Sequence, residues 1–374
     1  MDFTLSDEQE LLRDGLSKFL SSRYDLETSR AAAKTGPGWQ PVIWQSFADE
    51  LGILGAALPE SVGGIGGGPV EVMLIAEALG HALVIEPYVD TAVVGAGLLL
   101  RADNTAANAV LEKIASGTAV VAIAAAEAQS GDRWKIVQTT ATREGDDWIL
   151  IGSKIMVVNA PLATHLLITA RTDSGISLFL ADATAPGLAM HGYRTVDDRR
   201  AADIELQGLR LPGGALLGAE GQAWPSIAQA RDQGAAAVCA EAVGNMRKVL
   251  ADTVEYAKQR QQFGQPIGSF QALQHRMVDM HMELEQSVSA VYLATLNLTA
   301  DAHTRAWAVS AAKATIGRAA RFIGQNAVQL HGGMGMTEEL AIGHYFKRLT
   351  AVQYEYGSTD YHVTRYAKLT RERH

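Results

Sequence analysis

Residues 260–271 decide how the C-terminal part of the chain folds, and they read Arg260-Gln261-Gln262-Phe263-Gly264-Gln265-Pro266-Ile267-Gly268-Ser269-Phe270-Gln271. A Gly-x-Pro sequence with a second glycine is unfavourable in a helix, because glycine prefers other conformations and proline lacks an amide donor. On both sides of this stretch, apolar residues recur three and four positions apart, as on one face of a helix. The stretch is therefore predicted to be a turn between two long helices.

Three apolar stripes at helical spacing run through the last third of the sequence. They comprise Val243, Met246, Leu250, Val254 and Ala257; Phe270, Leu273, Met277, Met280, Leu284, Val288 and Val291; and Ala312, Ile316, Ala319, Ile323, Ala327 and Leu330. Antiparallel helices joined by short turns bury such stripes against one another. We predict an up-down helical bundle over residues 225–374.

The middle of the sequence has a different pattern, which predicts a β domain over residues 117–224. Short β-rich runs at 135–142, 148–151, 166–170 and 177–180 are separated by turn signals such as Glu144-Gly145-Asp146-Asp147. Residues 1–116 are again rich in Ala and Leu, and Ser6 with Gln9 forms a capping-box pattern that starts a helix. The fold class expected is mainly α, with a helical N-terminal domain before the central β domain.

The composition limits the classes of function. Of the 374 residues, 48% are hydrophobic, which is enough to fill two or three domains. Lys and Arg number 32 against 41 Asp and Glu, and the resulting net charge of −9 disfavours binding to nucleic acid or to an anionic membrane. Cys239 is the only cysteine, so an internal disulfide is excluded and a reducing, cytoplasmic location is expected. Apolar runs shorter than roughly 18 residues predict no membrane span.

Two segments carry residue types suited to a phosphate-containing cofactor. At the end of a helix, the Arg260 guanidinium can bind a phosphate and the Phe263 ring can pack on a flat group. Gln329-Leu330-His331-Gly332-Gly333-Met334-Gly335 places paired glycines where backbone N–H groups can approach a ligand closely. Each segment alone also fits an ordinary structural role, as a charged helix end or a helix C-cap. His275 and His281 lack the i, i+4 spacing of a helical metal pair, so no metal is predicted.

Together these segments resemble the flavin-binding signature of the acyl-CoA dehydrogenase family. The rest of the chain follows the family in order, with Leu58-Pro59 before a Gly-Gly loop and Glu77-Ala78-Leu79-Gly80 after it. The fold that the resemblance implies has a helical N-terminal domain, a middle β-barrel domain and a C-terminal four-helix bundle. The resemblance implies an FAD-dependent oxidoreductase that converts an acyl-CoA thioester to the 2-enoyl-CoA by α-proton abstraction and β-hydride transfer to flavin. It implies an electron-transferring flavoprotein as redox partner, and a dimer or tetramer, homo- or hetero-oligomeric, with FAD at the subunit interface. The cofactor-binding positions it implies are Arg260, Phe263, Gln271, Gln329, Gly332, Gly333, Ser358 and Asp360.

The position of the catalytic base departs from the family pattern. The common base is a Glu immediately before Gly-Thr, and here Tyr356 fills that position before Gly357, with Glu355 one residue upstream. A phenol with an ordinary pKa near 10 is a poor base at neutral pH. Glu355 substitutes only if the loop shifts by one residue. Some members carry the base on the preceding helix, where the matching position is Gly234; Glu241 and Asp232 are the alternative candidates on that helix.

The flavin-facing part of the middle domain also departs from the family. Ala126 and Ala128 flank Glu127 where Thr and Pro are usual, and Met156 and Val158 replace an aromatic residue and a Thr. The framework positions Trp148, Gly152, Lys154 and Asn159 are retained. The chain therefore retains the segments that, in the family, contact the flavin of a neighbouring subunit. It lacks several of the residues that, in the family, contact a subunit's own flavin.

Three hypotheses follow from this combination. The first is an acyl-CoA dehydrogenase, and the second is a non-catalytic partner subunit that completes the FAD site of an unlike dehydrogenase subunit. The stretch from Gly357 to His362 resembles the Gly-x-x-x-x-His variant of small-subunit, degenerate-base members. The third is an oxidase-type relative in which dioxygen accepts the electrons.

Overall fold

The computed structural model describes residues 4–102 and 104–372. Over these residues the chain is mainly helical with one central sheet, so the predicted fold class is confirmed. The three domain limits predicted from the sequence stay a prediction.

The chain forms two compact units, each made of several segments. One unit consists of Met1–Glu27, Pro69–Val84 and Ala235–His374, and the other of Thr28–Gly68 and Ile85–Gly234. Each is described by itself below.

The first helix begins at the capping residue that the sequence predicts. Ser6 caps the first helix by accepting the Gln9 amide at 3.3 Å, while the Gln9 side chain accepts the Ser6 N–H at 3.1 Å, which confirms the predicted capping box. A π-helical turn spans Val89–Gly95. The α-helices are α1 (Asp7–Arg23), α2 (Leu26–Thr35), α3 (Pro41–Asp49), α4 (Pro69–His81), α5 (Ala96–Ala102), α6 (Thr105–Ala115), α7 (Trp224–Gln259), α8 (Gln271–Leu296), α9 (Ala302–His331), α10 (Ile342–Val352) and α11 (Thr359–Arg371).

The central sheet lies in the second unit and has the order β6-β7-β3-β2-β4-β5-β8, with β1 parallel to β4. Its core includes Trp148, whose ring meets Phe179 edge-on at 5.4 Å. The strands are β1 (Val121–Ala124), β2 (Thr140–Glu144), β3 (Asp147–Val158), β4 (His165–Thr172), β5 (Gly175–Asp182), β6 (Leu188–Arg194), β7 (Arg200–Pro212) and β8 (Leu216–Leu217); β9 (Gln261–Gln262) and β10 (Gln265–Pro266) form a separate hairpin.

The run predicted as a strand at 135–142 is strand only from Thr140 onward, so that part of the prediction is wrong. The backbone amides of Gln138 and Thr139 instead donate to the Glu127 carboxylate, at 2.7 and 3.1 Å. A buried carboxylate is a stronger acceptor than a neighbouring strand's carbonyl, and it takes these two amides out of the ladder.

In the first unit, α9 packs against α8, α10 and α11, and α4 packs against α7. The contact of α4 with α7 depends on glycine, because a Cβ at Gly244 would lie 1.9 Å from the Glu77 carbonyl oxygen. A Cβ at Gly80 would lie 2.0 Å from the Glu241 carbonyl oxygen. These two glycines therefore let the backbones of α4 and α7 come into contact. The contact fixes the position of Glu241 relative to α4.

Candidate functional site

The turn at residues 260–271 is a short hairpin that projects from the end of α7. Phe263 lies at its tip with its side chain 93% exposed and a left-handed φ of +53°, followed by Gly264 at φ +80°. The base of the hairpin is closed by the Ile267 amide, which donates to the Arg260 carbonyl at 2.8 Å. Arg260 and Gln271 are both exposed. The hairpin thus presents a guanidinium, a carboxamide and an aromatic face outward.

The Gly-Gly segment follows α9 and also faces outward. Gly332 ends the helix at φ +60°, and neither Gly332 nor Gly333 would bring a Cβ within 4 Å of another atom, so their backbone is open on that side. Gln329 is exposed one turn earlier. The Gly332 N–H itself donates to the Gln329 carbonyl oxygen. What the segment offers a pyrophosphate is therefore a backbone that a ligand can approach closely and a carboxamide donor.

A ring contact holds these two segments beside each other. His331, the last residue of α9, stacks on Tyr256 of α7 with ring centroids 4.3 Å apart, and its Nδ1 lies 2.8 Å from the Ala327 carbonyl oxygen. The Tyr256 hydroxyl donates to the His331 carbonyl at 3.4 Å. Since Arg260 follows Tyr256 by one helical turn and Gly332 directly follows His331, the cation and the open backbone share one end of the bundle. This donor set fits the phosphates and flat ring of FAD.

The other two predicted cofactor positions lie at the start of α11. Ser358 caps this helix by accepting the Tyr361 amide at 3.2 Å, and Asp360 is exposed in its first turn. The cofactor-binding roles of all eight residues stay a prediction.

The two candidate bases meet on one arginine. Arg348 of α10 is buried, and its Nε and Nη2 donate to Glu241 at 2.6 and 2.9 Å. Its Nη1 and Nη2 donate to Glu355 at 2.5 and 2.8 Å. The side chains of Glu241 and Glu355 are 6% and 19% exposed. One guanidinium therefore binds both carboxylates in two forked pairs, a geometry of strong charge-assisted hydrogen bonds.

Opposite charges stabilise the contacts of Arg348 with Glu241 and Glu355. Burial alone would lower the pKa of Arg348, but the carboxylates of Glu241 and Glu355 outweigh it and hold the pKa well above its ordinary value. Arg348 stays a cation, so neither carboxylate faces an uncharged neighbour there. The other candidate, Asp232, is buried on α7.

Sequence reasoning missed Arg348, although α10 contains a signal for it. The buried positions Tyr345, Leu349 and Val352 are spaced four and three apart, and Arg348 lies on the same face. An arginine on an apolar face needs an anionic partner in the interior. That signal predicts a buried carboxylate but does not identify Glu241, which is remote in sequence.

In the second unit, the middle-domain framework is built as the resemblance implies. Lys154 is fully buried and donates to Glu127 at 2.6 Å and to Thr169 at 3.0 Å. Burial lowers the pKa of Lys154 to about 8, against the opposing effect of Glu127. Asn159 takes a left-handed φ of +61° and donates to Asp90 at 2.6 Å.

Met156, which replaces an aromatic residue of the family, has a left-handed backbone and a 53% exposed side chain. Its amide donates to Asp203 Oδ1 at 3.0 Å, and the Tyr193 hydroxyl donates to the same oxygen at 2.8 Å. A thioether at this position has no hydroxyl with which to donate to a flavin ring.

Within residues 4–102 and 104–372, no group of three or more His, Cys, Asp or Glu is arranged to bind a metal ion. No helix of that part of the chain is both long enough and apolar enough to cross a membrane.

Family models match almost the whole chain. Residues 6–129 match the acyl-CoA dehydrogenase N-terminal domain, residues 122–208 the middle domain and residues 221–369 the C-terminal domain. The probable acyl-CoA dehydrogenase YngJ of Bacillus subtilis is 30% identical over 91% of this chain and 92% of its own length.

Two solved structures are similar over nearly their full length. The ChsE4-ChsE5 complex from Mycobacterium tuberculosis superposes with a TM-score of 0.92 at 26% identity, covering 100% of this chain and 99% of that one. The FAD complex of PigA superposes with a TM-score of 0.91 at 26% identity, covering 100% of both chains.

Proposed function

The chain belongs to the acyl-CoA dehydrogenase family, and from that premise we propose that it acts in the FAD-dependent α,β-dehydrogenation of an acyl-CoA thioester to the 2-enoyl-CoA. The observation that carries the proposal is the Tyr256–His331 stack, which places the Arg260–Phe263 hairpin beside the Gly332–Gly333 backbone. FAD, when bound, accepts the β-hydrogen of the substrate with its electron pair.

This chain's own residues bind and orient the cofactor. Arg260 binds a phosphate oxygen through its guanidinium, and the Gly332–Gly333 backbone, which has no side chain in the way, lets the pyrophosphate approach closely. Phe263 packs its ring against a flat part of the cofactor, which explains why an aromatic side chain stands 93% exposed at a hairpin tip. Gln271 and Gln329 add carboxamide donors.

Ser358 and Asp360 complete the cofactor contacts at the start of α11 in this proposal. Because the hairpin and the Gly-Gly segment project outward, they serve the FAD of a neighbouring subunit in a dimer or tetramer. An electron-transferring flavoprotein then reoxidises the enzyme.

One observation favours the second candidate function, that of a partner subunit without a base of its own. Both candidate bases, Glu241 and Glu355, are held on the Arg348 guanidinium by contacts of 2.5 to 2.9 Å. A general base must accept a proton from the substrate through an oxygen that faces it, and here both oxygens of each carboxylate accept from the Arg348 guanidinium. We propose that α-proton abstraction is performed by an unlike subunit, whose FAD site this chain completes. The similarity to a complex of two named chains, ChsE4 and ChsE5, supports this arrangement.

The test measures flavin and activity in the same preparations. The chain is purified alone and after co-expression with a candidate unlike dehydrogenase subunit. The visible absorption spectrum gives flavin per subunit, and anaerobic titration with acyl-CoA thioesters shows whether the flavin is reduced. We expect full flavin occupancy and bleaching only in the mixed assembly. Bleaching by the chain alone would instead establish an autonomous dehydrogenase.

A matched pair of arginine variants separates the cofactor site from general charge effects. Arg260→Gln is expected to raise the Kd of the assembly for FAD by at least about tenfold, the loss of one charge-assisted phosphate contact. Arg210→Gln removes another exposed arginine, from the sheet, and should leave that Kd unchanged. Equal Kd values for FAD in both variants would refute the assignment of Arg260.

A further inference from the structure

The loop between α10 and α11, residues 353–358, contains the position that holds the base in the family and is tied down from α9. Lys313 of α9 is fully buried, and its Nζ donates to the carbonyl oxygens of Val352, Gln353 and Gly357 at 2.7, 3.3 and 3.1 Å. An ammonium group can donate in three directions, and these three acceptors all belong to one short stretch of backbone. The cation joins the two ends of the loop and complements the carbonyl end of α10.

A histidine holds the middle of the same loop. His362 is fully buried, with Nε2 3.2 Å from the Tyr356 carbonyl oxygen and Nδ1 3.2 Å from the Ser310 hydroxyl. A carbonyl oxygen only accepts, so Nε2 carries the proton, and in a neutral ring Nδ1 then accepts from the Ser310 hydroxyl. Ser310 and Lys313 lie one turn apart on α9, so both ties come from the same helix.

The residue between these ties has an unusual backbone. Tyr356 has φ +55°, a left-handed conformation that non-glycine residues seldom adopt, and its side chain is buried. Such conformations persist only where surrounding contacts fix them. Here the fixing contacts are His362 on the Tyr356 carbonyl, Lys313 on the next carbonyl along the chain, and Arg348 on the preceding Glu355 side chain.

These ties exclude the one-residue shift that would bring Glu355 into the base position. A shift would move different carbonyls to Lys313 and His362 and would break the Arg348–Glu355 pair. The shift would also have to be absorbed before α11, where Thr359 lies so close to Gly317 that an added Cβ would be 2.2 Å from its hydroxyl.

We propose that His362 is a positioning residue, which together with Lys313 locks the loop in the register that assigns the base position to Tyr356 and turns Glu355 to Arg348. This inference rests on the proposed function, because it takes position 356 as the place of the catalytic base. The last residue of the Gly-x-x-x-x-His stretch is thereby assigned a role: it keeps this chain's own base position closed to a carboxylate.

The first experiment measures hydrogen–deuterium exchange of residues 353–358 in the purified chain. His362→Ala should raise exchange there by about tenfold, as expected on loss of a buried hydrogen bond, with other segments unchanged. His362→Asn should restore protection, because a carboxamide can donate to the Tyr356 carbonyl and accept from Ser310. His303→Ala removes another histidine-to-carbonyl contact, to Leu369, and serves as the control. Unchanged exchange in His362→Ala would overturn the proposal; if that variant does not fold, Ser310→Ala applies the same test.

The second experiment gives the base position a carboxylate. Tyr356→Glu is prepared in the FAD-loaded assembly with an unlike subunit whose own catalytic base has been replaced, because that base would otherwise exchange the same proton. Exchange of the α-proton of butanoyl-CoA, 2-methylpropanoyl-CoA and 3-phenylpropanoyl-CoA is then followed in D2O, with the unsubstituted Tyr356 chain as the background. In this step the Cα–H bond breaks as the carboxylate takes the proton, and a deuteron from solvent forms the Cα–D bond, with no oxidation or reduction. Exchange is expected in Tyr356→Glu, reduced at least about tenfold with His362→Ala and recovered with His362→Asn.

The outcomes distinguish the positioning role of His362 from the assignment of the base position. Exchange that persists undiminished in the Tyr356→Glu, His362→Ala double variant would overturn the positioning role of His362 and leave the proposed function intact. No exchange in any Tyr356→Glu variant with any of the three thioesters would overturn the assignment of the base position. The protection measurement still decides whether His362 locks the loop, and flavin bleaching in the mixed assembly still decides the proposed function.

Discussion

Replacing Arg348 by methionine should be among the most destabilising single changes in this chain. The substitution keeps an apolar stem of similar length but removes the guanidinium, and four N–H···O contacts of 2.5 to 2.9 Å disappear with it. Two carboxylates, Glu241 and Glu355, then lie 6% and 19% exposed without their cation. Removing one partner of a buried ion pair costs about 3–5 kcal/mol, since the remaining charge stays desolvated. We expect a loss of about 4 kcal/mol in the free energy of unfolding.

The pH dependence of Arg348→Met provides a second signature. Without the cation, burial raises the pKa of a carboxyl group, so the folded variant binds more protons than the unfolded chain above about pH 4.3. Its free energy of unfolding therefore falls as the pH rises toward neutrality, and the deficit against wild type is smaller at pH 5 than at pH 7.5. Adding Glu241→Gln and Glu355→Gln should recover much of the lost stability and abolish this pH dependence.

The assay is urea denaturation followed by circular dichroism at both pH values. Arg210→Met is the matched control, because Arg210 also contacts two carboxylates, Asp147 and Glu144, at 2.9 and 2.7 Å, but on the exposed surface. Exposed pairs contribute little to stability, so this variant should unfold at nearly the wild-type urea concentration. A loss in Arg348→Met of less than about 1 kcal/mol, or one equal to that of the control, would refute the reasoning.

Three further predictions concern packing, acid stability and the cofactor site. Gly244→Ala should destabilise the protein by about 3 kcal/mol in urea denaturation, because its Cβ would lie 1.9 Å from the Glu77 carbonyl oxygen. A Cβ at Gly15 in α1 meets nothing within 4 Å, so Gly15→Ala should stabilise the protein by about 0.5–1 kcal/mol. Equal effects of the two substitutions would contradict this account. Burial would raise the pKa of Glu127, but its lysine partner and backbone amides outweigh burial and lower the pKa below 4.5. The stability that the ionised carboxylate contributes is therefore present above pH 4.5 and is lost as the pH falls below that value. The free energy of unfolding of Glu127→Gln, followed by circular dichroism, should depend less on acid pH. Phe263→Ala should leave the melting temperature unchanged, since the ring is 93% exposed, yet reduce the flavin retained by the assembly on gel filtration; unchanged retention would show that the ring does not contact the cofactor.

The sequence was most informative where local chemistry decides the structure. The Ser6–Gln9 capping box and the Glu144–Asp147 turn are present as predicted, because each depends on residues a few positions apart. Strand β7 was not predicted. Gly208 is bulged out at φ +76° between Gln207 and Leu209, which shifts the alternation of buried and exposed side chains by one position.

In the candidate site as well, features set by neighbouring residues could be predicted and long-range contacts could not. Arg260 and Gly332 could be recognised from their local sequence, since a helix end and a glycine pair are local features. The pairing of Arg348 with Glu241 could not, because 107 residues separate them and only the packed bundle brings them together. Likewise, no local pattern indicates that a lysine of α9 reaches the carbonyls of the loop after α10.

The exposed tip of the β9–β10 hairpin has a consequence for the behaviour of the purified protein in solution. Covering an aromatic ring that lies in water is favourable, and Phe263 at this tip is 93% exposed. Each molecule therefore carries an apolar contact that its own fold does not use. Self-association of the chain at high concentration should weaken when Phe263 is replaced by a polar residue, which light scattering over a dilution series would measure.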